Sequence, residues 1–233
     1  MSRLVRVLIV LGSVVALFAA TTNADDLADT FRIVHKSLVL VRAAGLGSGF
    51  VIHSSPESTA ILTTAQILGA RRNATVYLND DPSVGYTALL LRIDKAANLA
   101  LLRIEQGRMV PMILSTSVRE GERVGVAGYP STSLKTHTAM KYLRPSLNEG
   151  TVTSVHLQGK IIEYSAPKDN IACGAAVFDS ASGYYVGVSL SVKNASGAHK
   201  AVGPTAIHEF LKKSGLDITT MEYTANGSEG KRH

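Results

Sequence analysis

The sequence predicts an all-β protein, and three observations carry that expectation. Short runs rich in Val, Ile and Leu recur along the chain, separated by glycine, proline and serine turn signals. Long helical periods are few. The hydrophobic content is 45% while aromatic residues make up 6% and Trp is absent, so the core has to be built from Val, Ile, Leu and Ala. A length of 233 residues suffices for one ordinary globular domain or two small fused barrels.

Taken in order, residues 1–24 form a separate object. Arg3 and Arg6 give a positive start, Val7 to Ala20 is a run of apolar and small residues, and Thr22-Asn23-Ala24 is a small-residue cleavage pattern. This is the pattern of a secretory signal peptide cut after Ala24, which predicts a secreted or extracytoplasmic protein. The apolar run is short for an uncleaved anchor, since a spanning helix needs about 20 residues, so no stable membrane span is expected after cleavage. Residues 25–36, DDLADTFRIVHK, read as a short N-terminal helix or arm, with Asp25 and Asp26 at its start and Leu27, Phe31 and Val34 near one face.

Ser37 to Ala43 reads as a strand, Ala44 to Gly49 as a glycine turn and Phe50 to His53 as a further strand. Pro56 to Thr59 is a hairpin tip, and AILTTAQILGA is a strand ending at Thr63 followed by one helical turn. Ala74 to Asn79 and Tyr86 to Asp94 are strand-like. Gly107 to Thr116 reads as a link between two halves. In the second half, Gly121 to Pro130, Leu147 to Val155 and Lys160 to Ala166 read as strands. Asp169 to Leu190 contains the single cysteine, Cys173, in a small-residue loop, then a strand, a Ser180–Gly183 turn and a second strand. Thr205 is placed to cap a helix running to Lys213 that Gly215 stops. The polar tail, 215–233, reads as disordered.

The order and spacing of four segments resemble the trypsin-like serine proteases, most of all the HtrA/Deg type. GSGFVI is intact at Gly47 to Ile52, and ILTTAQIL follows the family's I-L-T-N-A-H-V-V. Asp94 and Leu99-Ala100-Leu101-Leu102 match the family's D-x-x-x-D-L-A-L-L. Ile171 to Asp179 lies on GNSGGPLFD, with Gly187 at the following strand's glycine. The resemblance covers roughly Ser37 to Lys213 and leaves no room for a PDZ domain. It implies two six-stranded antiparallel β-barrels with short N-terminal and C-terminal helices. The first barrel would occupy 37–115, and the second, with its terminal helix, 116–214.

The same frame puts Gln66 where the family has its catalytic His, Asn98 at the orienting Asp and Cys173 at the nucleophilic Ser. Ile171, Cys173 and Gly174 fall at the oxyanion-hole turn, Ile171 replacing a glycine whose backbone a β-branched residue copies poorly. Proteolysis by a triad needs a base, a carboxylate to orient it and N–H donors for the oxyanion. A glutamine amide is not basic near neutral pH, although a thiol ionises more readily than a hydroxyl. The expectation is a pseudoprotease that holds a peptide or protein in the inherited cleft. The alternatives are an active endopeptidase, cysteine-nucleophile or diverged serine-type, using Cys173 to hydrolyse unfolded proteins, and a structural surface module. On residue type alone, Cys173 reads as a small buried apolar residue.

The remaining features narrow the field. The formal charge of +6 falls to +4 once Arg3 and Arg6 are removed, and no basic stripe with interleaved aromatics appears, so no nucleic-acid partner is expected. No paired His/Cys spacing points to a metal, and GLGSG lacks the Lys-Ser/Thr of a phosphate loop, so no cofactor is expected. His35, His53, His137, His156, His199, His208 and His233 lie outside the base's frame. One cysteine in a secreted chain is either a free thiol or an intermolecular bridge. Asn73, Asn194 and Asn226 each open an N-x-S/T triplet and are glycosylation candidates in a host with that machinery.

Overall fold

The computed structural model describes residues 27–130, 143–166, 173–193, 197–216 and 220–221. Residues 27–34 form helix α1, which leads through a 3₁₀ turn, His35–Ser37, into the first strand. Val34 is buried, and Leu27 and Phe31 pack with it, as their helical spacing predicts.

The first barrel is built from β1 (Leu38–Arg42), β2 (Leu46–Ser54), β3 (Thr59–Thr63), β4 (Asn73–Leu78), β5 (Gly85–Asp94) and β6 (Leu99–Ile104), with the one-turn helix α2 (Ala65–Leu68) between β3 and β4. The strands close in the order β1-β2-β3-β6-β5-β4, and every pairing is antiparallel. The run Leu38-Val39-Leu40-Val41 shows why an unbroken apolar stretch suits this position. Val39 and Val41 enter the barrel interior beside Val51, Ile61 and Val76. Leu38 and Leu40 face the other way and pack in two further clusters. A strand buried on both faces has no polar side to write into its sequence.

The second half carries β7 (Leu114–Ser115), β8 (Arg123–Gly128), β9 (Ser146–His156), β10 (Ile161–Ser165), β11 (Ala176–Asp179), β12 (Tyr185–Lys193) and β13 (His199–Val202). It ends with helix α3 (Pro204–Lys212) and β14 (Thr220–Met221). The sheet runs β11-β8-β9-β10-β13-β12, and a β11–β12 pairing closes it into a second six-stranded antiparallel barrel. Short strands β7 and β14 attach in parallel outside this ring. The protein is therefore an all-β, two-barrel molecule, as the sequence led us to expect.

The barrels share one apolar seam. Phe50, Leu62, Leu99 and Leu101 of the first pack with Leu114, Phe178, Tyr185 and Val188 of the second. The Phe50 and Tyr185 rings meet edge to face at 5.0 Å. Backbone bonds tie the connecting segment to both sides, with Met112 N–H donating to the Val51 carbonyl and Tyr185 N–H to the Ile113 carbonyl, each at 2.9 Å.

Two sequence expectations need correction. Ala44 to Gly49 is not wholly a turn, because β2 already begins at Leu46. Gly47 is there for close approach: a Cβ on it would lie 2.4 Å from Ile67 Cδ1 and 2.9 Å from the Cys173 carbonyl oxygen. Thr205 does not cap α3. Pro204 starts the helix two residues earlier than that cap would, with Gly203 at the cap position, and the Thr205 hydroxyl donates to the Gln158 carbonyl at 2.8 Å. Residues 1–24, read above as a signal peptide, and most of 215–233 lie outside the described residues, as do Ile171, Asn194, Asn226, His137 and His233.

Candidate active site

The first barrel supplies one wall of the candidate site through α2 and the β5–β6 turn. In α2, Ile67 and Leu68 are buried in the barrel core, which leaves Gln66 on the exposed side of the turn. Asn98 ends the β5–β6 turn with φ at 54°, a left-handed conformation that Asn tolerates better than most residues. Its carbonyl accepts the Ala65 N–H at 3.2 Å. Its side-chain Oδ1 accepts the Gln66 backbone N–H at 2.9 Å, and its Nδ2 donates to Gln66 Oε1 at 3.1 Å. A backbone N–H only donates, so it fixes which way the Asn98 amide points.

The second barrel supplies Cys173 and Gly174. The Cys173 carbonyl accepts the Ser48 N–H at 2.8 Å, and its half-buried side chain packs against the cluster that contains Ile67. Gly174 has φ of +83°, and a Cβ there would lie 2.0 Å from the Ser48 carbonyl oxygen and 2.7 Å from the Thr63 hydroxyl. The nucleophile-position loop thus lies against Gly47-Ser48, Thr63 and Ile67, the residue next to Gln66. Gly174 N–H donates to the Ser189 carbonyl at 2.9 Å and so is already engaged within the second barrel. The following hairpin is held by Asp179, whose Oδ1 accepts both the Ser182 N–H and the Ser182 hydroxyl at 2.7 Å.

Behind the loop stands a polar group that sequence reasoning missed. The Tyr164 hydroxyl is 2.9 Å from the Ser189 hydroxyl, and His199 stacks on the Tyr164 ring at 5.4 Å. Burial pushes the Tyr164 phenol up to about 12, partly opposed by the Ser189 hydrogen bond. The only sequence signal was period-two alternation, which turns Ile162 and Tyr164 of β10 inward together.

Chemically, the Gln66–Asn98 pair is two neutral amides that satisfy each other. Neither can take a proton from a nucleophile at ordinary pH. His35 contacts Asn79, and His156 lies 3.8 Å from Glu163. His53 sits on β2 opposite Ala60, and His208 is exposed on α3. Among the described residues no group of three His, Cys, Asp or Glu side chains is placed to hold a metal. Within the same residues no helix is long and apolar enough to cross a membrane. Asn73 is exposed at the start of β4.

A solved structure, the crystal structure of a serine endoprotease from Yersinia pestis, superposes with a TM-score of 0.65 at 16% identity, covering 81% of this chain. The chain spans 66% of that endoprotease's length, and at this identity the likeness establishes the fold alone. Among curated proteins, no relative matches the chain. The sequence profile of the trypsin-like peptidase domain matches residues 47–188, more than half of the 233 residues, from the GSGFVI strand into the second strand of the Cys173 hairpin. On that match, the chain belongs to the trypsin-like peptidase domain family.

Proposed function

We propose that this protein is a secreted, HtrA-like trypsin-fold homologue without proteolytic activity. It holds an extended peptide or protein segment in the cleft between its barrels. The observation that carries this reading is the reciprocal amide pairing of Gln66 with Asn98. It fills the base and carboxylate positions with groups that move no proton, and losing a triad that works as a unit costs on the order of 10⁶ in turnover. What remains suits binding, because trypsin-fold clefts take peptides through main-chain hydrogen bonds. The charged start and apolar run of residues 1–24 support export with cleavage after Ala24. Asn73, exposed at the head of β4, suits a glycan there.

The second reading, an endopeptidase acting through Cys173, is favoured by one fact: the thiol is free and only half-buried. Incubation with an unfolded protein substrate, before and after thiol alkylation, separates the two. We expect no cleavage in either case, and alkylation-sensitive cleavage would establish the enzyme instead. The combined change Gln66→His, Asn98→Asp, Cys173→Ser then tests the scaffold. We expect it to gain measurable hydrolysis, because the segments that bracket each position are kept, and weak hydrolysis, because Ile171 still stands at the glycine of the oxyanion-hole turn.

A further inference from the structure

The first barrel carries a basic groove outside the cleft. A cavity of about 390 Å³ lies between residues 69–72, which follow α2, and residues 90–93 and 95, at and just past the end of β5. Arg71, Arg72 and Lys95 line it, with Leu90 and Leu91. A second cavity of about 300 Å³ shares Arg71 and adds Arg42 and Thr75. No carboxylate lines either cavity. Arg42, Arg71, Arg72 and Lys95 are exposed, and none has an acidic partner among the described residues. Arg92 is different: it donates to the Lys213 carbonyl at 2.9 Å and lies over the Phe210 ring, which ties β5 to α3.

The groove also exposes backbone. β4 pairs with β5 only as far as Asn73 opposite Leu89, and one more bond joins Leu90 N–H to the Arg72 carbonyl at 3.0 Å. From Arg92 to Asp94, β5 is paired on its β6 side, and among the described residues no strand covers the other edge. A register shift between Leu90 and Arg92 makes Leu91 a bulged residue, and Leu89 and Leu91 are 49% and 46% exposed. An open strand edge next to exposed leucines and unpaired cations calls for one kind of occupant. An extended chain supplies main-chain donors and acceptors, apolar side chains cover the leucines, and carboxylates meet the arginines and lysine.

We propose that this groove binds an extended acidic peptide segment with interspersed apolar side chains. The site is separate from the Gln66–Asn98–Cys173 cleft, so the two readings stand or fall apart. Nucleic acid fits less well, because no aromatic side chain lines either cavity to stack a base. An anionic membrane fits less well because the cations line a concave surface rather than a projecting one.

The test is fluorescence anisotropy on the intact, unglycosylated protein, since a glycan on Asn73 would stand over the second cavity. The probe is a labelled peptide of about ten residues alternating Glu and Leu. We expect saturable binding that weakens as salt rises. The triple change Arg71→Glu, Arg72→Glu, Lys95→Glu should weaken it by about tenfold or more, while Lys212→Glu on α3 and alkylation of Cys173 leave it unchanged. If the triple variant loses its native circular dichroism, Lys95→Glu and Arg71→Glu singly give the same readout with a smaller loss. N-methylation of alternate peptide amides should also weaken binding. Undiminished affinity in the charge-reversed variants, or tighter binding of single-stranded DNA or phosphatidylserine vesicles than of the peptide, would overturn the proposal.

Discussion

The two walls of the candidate site are held by different kinds of bond. On the first-barrel side, α2 and the β5–β6 turn are joined through the side chains of Asn98 and Gln66. On the second-barrel side, the Cys173-Gly174 loop is joined to its surroundings by main-chain bonds, from Ser48 N–H and to the Ser189 carbonyl, around a glycine no other residue replaces well. The contrast teaches how a fold outlasts its chemistry. The second wall does not depend on what side chain stands at 173, so a thiol fits without disturbing it. The first wall does need a hydrogen-bonding pair at 66 and 98, and two amides keep that pair while removing the proton chemistry.

The comparison is sharpened most by Gly174→Ala. Its φ of +83° and the contact at 2.0 Å leave the new methyl nowhere to go, and we expect a loss of about 3 kcal/mol in a urea melt. A loss under about 1 kcal/mol would mean the loop yields and the second wall is not fixed by backbone. Next comes Asn98→Ala, which removes the acceptor for Gln66 N–H, the bond to Gln66 Oε1 and the tolerance for φ of 54°. About 2 kcal/mol should go. Asn98→Asp keeps the acceptor and the backbone tolerance and should lose much less, while Asn98→Gly should recover only the backbone part. Equal losses for Ala and Gly would show that the hydrogen bonds alone hold the first wall.

These features differ in how far the sequence announces them. Strand existence was legible, because alternation of buried Ala74, Val76 and Leu78 with the more polar, less buried Asn73, Thr75 and Tyr77 is written residue by residue. The positions of Gln66, Asn98 and Cys173 were legible only through the segments that bracket them, since no local pattern marks an amide as a replaced base. Gly47 misled because glycine signals turns and close approaches alike, and only the packing of Ile67 and Cys173 against it decides between them. The basic groove could not be read at all. Arg42, Arg71 and Lys95 are far apart in the chain and meet only when β1, the segment after α2 and the end of β5 are wrapped into one barrel. The parallel additions β7 and β14 pair through one and two residues, too few to leave a pattern.

A smaller effect is expected behind the second wall. Tyr164→Phe removes the bond to Ser189 and keeps the ring that stacks on His199. The loss should be about 1 kcal/mol, read again from a urea melt. If the Ser189 backbone positions the loop through Gly174 N–H, the same variant should also speed alkylation of Cys173. An unchanged alkylation rate would confine Tyr164 to the core and leave the main-chain bonds as the sole support of the loop.

The smallest effect tests a contact away from both walls. Asn79 Nδ2 lies 2.8 Å from His35 Nδ1 and 3.3 Å from the His35 carbonyl. A carbonyl only accepts, so Nδ2 faces the residue and the ring nitrogen must be an unprotonated acceptor. Burial lowers the His35 pKa below its ordinary 6.5, with Arg144 acting in the same direction and Asp80 opposing both. The unfolded chain therefore binds this proton more readily than the folded one, and stability rises with pH across the interval between the two values. The contribution is complete above 6.5 and is lost as pH falls from there through the lowered folded value. Melting temperature should drop as pH falls below 6.5, and His35→Phe, which cannot titrate, should flatten that part of the profile. An unchanged slope in the variant would assign the pH dependence to other groups and leave the α1 junction held by Val34 and Phe31 alone.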